Sequence, residues 1–158
     1  MTSFETRFLS YTHGMPCEYE VYLSDQLSKH LYNNIPIKIP CLWFFPPSQG
    51  NFKTWNQWIR LQNIFQAVDS MGVLFDLDQE DIGMYVDELD QHLTQIYKPF
   101  HKDNIKIAIL PKDSYAGLKQ LEGLGIFHKI FQIDLNAYSS DELETMVKHY
   151  IEDVNLWQ

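Results

Sequence analysis

Carboxylates are the residues of this chain whose spacing comes nearest to chemistry. Behind the apolar run Gly72–Phe75 stand Asp76, Asp78, Glu80 and Asp81. Asp76, Asp78 and Glu80 fall at positions one, three and five of a calcium loop. Position six, where such a loop turns on glycine, is Asp81, and position twelve is Asp87 instead of a two-oxygen glutamate. That spacing excludes a dedicated EF-hand and leaves room only for an adventitious divalent ion. Nucleophile and phosphate signatures are missing: there is no Gly-rich phosphate loop and no Gly-x-Ser-x-Gly. A triad can assemble from distant residues, so catalysis is unsupported rather than excluded. The histidines His13, His30, His92, His101, His128 and His149 are scattered singly, and Cys17 and Cys41 form no close couple. A zinc set needs such couples. The expectation is no catalytic residue, no metal and no cofactor.

The segment GVLFDLDQE (Gly72–Glu80) resembles the first motif of haloacid-dehalogenase-type phosphatases. The resemblance implies Asp76 as the group that attacks phosphorus, Asp78 as acid/base and Mg²⁺ to offset charge. Gln79 and Glu80 stand where that family has Gly and Thr, and the carboxylates that follow would repel a phosphate. A Mg-dependent phosphatase using Asp76 and Asp78 is therefore an alternative, behind a strand that ends in a solvated acidic loop.

Charge distribution sharpens the picture. The chain carries 12 Lys+Arg against 21 Asp+Glu, a formal charge of −9, which disfavours nucleic acid as the direct ligand because such binding draws on cations at phosphates. Residues 1–71 are neutral, whereas residues 72–101 hold Asp76, Asp78, Glu80, Asp81, Asp87, Glu88 and Asp90 against Lys98 alone. An acidic face of that kind attracts a basic protein and speeds the encounter. Cys17 and Cys41 fit two half-buried thiols in a reducing compartment. No basic leader and no apolar run near 20 residues is present, so the expectation is a cytoplasmic protein without a membrane span.

These side chains need elements to position them. With 158 residues, of which 45% are apolar, the chain can bury roughly 70% of its unfolded surface and form one domain over 1–158. Glu18–Leu23 alternates as a half-buried strand, a short helix follows from Ser24 or Asp25 to Asn33–Asn34, and residues 35–45 read as one or two bent or edge strands. Residues 46–51 are a loop, and Phe52–Met71 suits a helix with Trp55, Trp58, Ile59, Leu61, Phe65 and Val68 on a wide apolar face. Residues 72–77 then form a buried strand. Over Gly83–Tyr97 a helix turns Val86, Leu89, Leu93 and Ile96 inward and Asp87, Asp90, Gln91 and Thr94 outward. Ile105–Leu110 is a strand stopped by Pro111. Asp113 or Ser114 caps a short helix through Leu121, with Gly123 as its left-handed terminus. Residues 126–133 give the next strand, and Ser139 with Glu142 opens a closing helix carrying Leu143, Met146, Val147, Tyr150 and Val154. Strands alternating with helices predict an α/β domain, a mixed or mostly parallel sheet of about five strands flanked by helices.

From residue 72 to 150 the element order resembles the STAS or SpoIIAA-like family of regulatory domains, carried by GVLFDL, IKIAIL, AGLKQLEGLGIFHKIFQI and SSDELETMV. The family's phosphorylated hydroxyl has no counterpart in MYVDELD, so the likeness implies a fold and a protein-interaction role without the phospho-switch. In size, acidity and lack of catalytic motifs the chain resembles the small acidic cytoplasmic immunity proteins of bacterial contact-dependent inhibition. That resemblance implies a non-enzymatic inhibitor that neutralises a basic toxin, such as a nuclease. Asp76, Asp78, Glu80, Asp81, Asp87, Glu88, Asp90 and Gln91 would be its binding face. Some of Trp43, Trp55, Trp58, Tyr85, Tyr97 and Trp157 are expected to be exposed beside those charges and to seal the contact. The oligomeric state is left open.

Overall fold

The structure, a computed structural model, describes residues 2–9, 16–23, 40–45, 70–75, 82–96, 104–114, 117–133 and 140–155. Strand β1 (Thr2–Leu9) and strand β2 (Pro16–Leu23) are followed by β3 (Cys41–Phe44) and β4 (Met71–Phe75). Helix α1 (Ile82–Ile96), strand β5 (Lys106–Pro111), helix α2 (Leu118–Leu124), strand β6 (Lys129–Ile133) and helix α3 (Ser140–Asn155) follow among the described residues. The helices expected near residues 24–34 and 52–71 fall almost wholly outside the described residues, as does Ser139.

The strands join one mixed sheet in the order β1-β2-β4-β3-β5-β6. β1 pairs antiparallel with β2 from Thr2↔Leu23 to Leu9↔Pro16, and β2 pairs antiparallel with β4 from Tyr19↔Phe75 to Leu23↔Met71. β4, β3, β5 and β6 are mutually parallel. The expected α/β class with a mostly parallel sheet is what the chain forms, with six strands among the described residues in place of about five. The additional strand is β1, where Phe4, Thr6 and Phe8 alternate with Glu5 and Arg7. That is a half-buried strand's period of two.

Composition explains which strands lie in the middle. Cys41–Phe44, Met71–Phe75 and Lys106–Pro111 are buried at every position. A strand covered on both faces must be apolar without alternation, as parallel strands are. The passages from β4 to β5 and from β5 to β6 both advance in the same direction across the sheet. Right-handed crossovers therefore place α1 and α2 on the same face. Their close approach is visible at Gly83, where an added Cβ would lie 3.3 Å from Cβ of Gln120. Tyr85, Val86, Leu89 and Leu93 of α1 and Leu121 of α2 close over Cys41, Trp43, Val73, Ala108 and Leu110. Across the sheet, the ring of Tyr150 on α3 meets Phe131 edge-on at 6.0 Å.

The short helix does not end at Gly123 as expected. Gly123 lies inside α2, and Gly125 is the residue in the left-handed region, at φ 68°, its N–H donating to the Glu122 carbonyl at 3.2 Å. The helix also begins later than expected: Gly117, at φ 66°, is its N-cap, and no side chain caps it. Asp113 and Ser114 instead belong to a turn that precedes it.

Candidate functional site

The acidic segment is only partly gathered on a surface. Asp76, Asp78, Glu80 and Asp81 lie outside the described residues. On α1, Gln91 is exposed and its Nε2 donates to the half-buried Asp87 at 3.4 Å, while Glu88 is half-buried. Asp90 is buried, and its Oδ2 receives the Lys106 ammonium at 2.7 Å. The expected outward orientation of Asp90 is thus corrected. At 3.6 residues per turn Asp90 stands about 40° around the helix from Val86, on the border of the inward arc. A carboxylate on that border is buried only where a cation meets it, and Lys106 at the start of β5 does so. Of the aromatics expected to be exposed, Trp43 and Tyr85 are buried in the core, and Trp55, Trp58, Tyr97 and Trp157 lie outside the described residues. Trp43 packs edge-on against Phe127 at 5.8 Å. Cys41 is a free thiol pushed well above its ordinary pKa, first by burial and then by the Asp90 charge, against an opposing pull from Lys106 and Trp43. Among the described residues no group of three His, Cys, Asp or Glu comes together, and no helix is long and apolar enough to cross a membrane.

In an open parallel sheet a ligand site is expected outside the carboxyl ends of the strands. Here that edge comprises the ends of β3, β4 and β5. Phe45 and Phe75 stack there with ring centroids 5.0 Å apart and an interplanar angle of 20°. Beyond β5 the chain makes a tight turn, the Ser114 N–H donating to the Pro111 carbonyl at 3.1 Å, before Gly117 redirects it into α2. Lys112 and Asp113, at the tip of the turn, are exposed, and Ser114 is buried at 8%. A hydroxyl is therefore held in a strand-to-helix turn at the carboxyl end of a central strand. Nucleophilic serines of the α/β-hydrolase architecture occupy that kind of turn, usually inside Gly-x-Ser-x-Gly. This chain has Lys112 and Ala116 where those glycines would stand, so the motif alone could not have drawn attention to Ser114. The usable signal was an apolar strand followed by Ser and then Gly before a helix.

The described histidines occupy the other end of the sheet. Nδ1 of His128 accepts the backbone N–H of Lys106, the first residue of β5, at 3.1 Å. His149 adjoins Tyr150, whose hydroxyl donates to the His128 carbonyl at 3.3 Å. His92 follows two residues after Asp90, the partner of Lys106. None of the three is placed beside Ser114.

Comparison with known proteins places this architecture. No family model and no curated protein matches the sequence. Solved structures do match in fold. An IroE-like serine hydrolase from Shewanella oneidensis superposes with a TM-score of 0.58 at 9% identity, over 82% of this chain and 49% of that one. FphF, a fluorophosphonate-binding serine hydrolase of Staphylococcus aureus, gives 0.53 at 13% identity, over 69% and 47%. S-formylglutathione hydrolase from Staphylococcus aureus gives 0.52 at 12% identity, over 69% and 47%. The chain thus resembles these solved serine hydrolases in fold and spans about half their length.

These findings correct the functional expectations. The fold is that of neither an immunity protein nor a STAS-like domain, and its neighbours are hydrolytic enzymes. The expectation of a non-enzymatic inhibitor of a basic toxin, which rested on size, acidity and missing motifs, is thereby overturned. Net charge speaks to solubility and encounter rates and carries no information about fold. The Mg-dependent phosphatase alternative receives no support from the fold neighbours either.

Proposed function

We propose that the chain carries a serine-hydrolase site acting on a carboxylic ester, with the Ser114 hydroxyl as nucleophile. The observation that carries this proposal is the position of Ser114 in the turn between β5 and α2, in a sheet ordered β1-β2-β4-β3-β5-β6. Support comes also from the fold neighbours, of which one is a fluorophosphonate-binding serine hydrolase and another an S-formylglutathione hydrolase. In such chemistry Oγ attacks the ester carbonyl while a base takes its proton. The tetrahedral oxyanion collapses, the alcohol leaves with that proton, and water then releases the acid from the acyl-serine. The described histidines His92, His128 and His149 gather at the opposite edge, so none of them is the proposed base.

Hydrolysis of p-nitrophenyl acetate and butyrate by the protein tests this directly. Ser114→Ala is expected to lower kcat/KM by about 10³-fold or more. Ser70→Ala, which removes a buried hydroxyl without a hydrogen-bond partner just before β4, is expected to leave it unchanged. Equal turnover by Ser114→Ala and the parent protein would remove Ser114 from the chemistry.

A further inference from the structure

We propose that His128 is a proton-sensitive clasp: in its neutral form its ring ties the beginnings of β5 and β6 together, and protonation opens that tie. Three hydrogen bonds converge on this residue. Its backbone N–H donates to the Lys106 carbonyl at 2.8 Å, and the Lys106 N–H returns to its ring Nδ1 at 3.1 Å. The Tyr150 hydroxyl of α3 donates to its carbonyl at 3.3 Å. The regular β5–β6 ladder begins one residue later, at Ile107↔Lys129, so the imidazole substitutes for a ladder acceptor where the two strands diverge.

The identity of the donor fixes the state of the ring. A backbone N–H can only give a hydrogen, so Nδ1 must hold a lone pair in the folded protein. Adding a proton there deletes the bond and sets two N–H groups against each other. His128 is exposed, and water can deliver that proton. Charged and titratable groups stand on the elements around the ring. From β5 it faces Lys106, whose ammonium is already engaged by Asp90 of α1. On its own strand stands Lys129, its Nζ 5.5 Å from the Phe131 ring centroid. From α3 come Tyr150, whose hydroxyl is pushed above its ordinary pKa by burial, and the exposed His149 and Asp153 on the same helix.

The sign follows from linkage. Only the neutral ring can accept the Lys106 N–H, so proton uptake removes that bond and acidification weakens the clasp. The device acts at the end of β5 remote from Ser114, and its test does not depend on catalysis.

The experiment is amide hydrogen exchange on the full chain at pH 7.5 and 5.5, expressed as protection factors so that intrinsic rates cancel. The Lys106 amide is expected to lose protection by about five-fold on acidification, the equivalent of one neutral hydrogen bond. In His128→Gln, whose amide oxygen accepts at either pH, the pH dependence is expected to vanish. Where His128→Gln does not fold, the parent protein still decides: loss of protection at Lys106 must track titration of the His128 ring signals. Unchanged protection at Lys106, or the same loss in His128→Gln, would overturn the proposal.

Discussion

Asp90 and Lys106 show how a single pair can reverse what a charge pattern implies. Both side chains are nearly inaccessible, at 12% and 9%, and they meet at 2.7 Å between α1 and β5. The Thr94 hydroxyl donates to the Asp90 carbonyl one turn on, at 2.8 Å. Taking a carboxylate and an ammonium out of water costs several kcal/mol each, and only their mutual attraction makes the burial tolerable. Lys106→Met alone strands the carboxylate and is expected to cost about 3–5 kcal/mol, whereas Lys106→Met with Asp90→Leu should recover most of that loss. Urea unfolding of the two single variants and the double variant measures this. A double variant as unstable as the sum of the singles would show that the pair is not coupled. In the sequence, Asp90 was indistinguishable from its solvated neighbours, because its partner lies 16 residues away on another element. Ser114 was read as a helix cap for a similar reason. A hydroxyl before a helix has the same local signature in either role, and only the turn geometry and the strand order separate them.

At the level of elements, α2 offers the sharpest contrast between pattern and structure. Gly123 and Gly125 stand two residues apart near the end of a seven-residue helix, and either could in principle terminate it. Only Gly125 has the positive φ that an L side chain resists, and an added Cβ at Gly123 meets nothing within 4 Å. Gly123→Ala is therefore expected to raise stability by up to about 1 kcal/mol, through reduced backbone freedom in a helix. Gly125→Ala is expected to lower it by about 1 kcal/mol, through left-handed strain. Thermal midpoints of the two variants check the assignment, and the opposite ordering would move the terminus to Gly123. The longer elements were legible because their signals are redundant. α1 announces itself through Val86, Leu89 and Leu93, all buried, and β5 through an unbroken apolar run between a lysine and a proline. Boundaries slipped by one to three residues where one position had to decide. Pro111 is an example: it pairs with Ile133 as the last residue of its strand although proline was expected to stop the strand before it.

For the molecule as a whole, alternation of strands and helices was enough to give a mixed α/β sheet. The order of its strands was not. That order depends on which side of the growing sheet each crossover lands, and hydrophobic period carries no record of it. The antiparallel β1-β2 pair at one edge and the parallel β4-β3-β5-β6 group emerged only with the fold, and with them the likeness to serine hydrolases. Acidity, by contrast, was plain in the sequence and pointed to a partner that the fold does not support. The decisive measurement is covalent labelling of the protein with a fluorophosphonate probe, followed by mass analysis of the peptide containing Ser114. The expected result is one phosphonyl adduct on Ser114, absent after heat denaturation and absent in Ser114→Ala. An adduct on a different residue, or a folded protein that takes up no probe, would contradict a serine-hydrolase site at the end of β5.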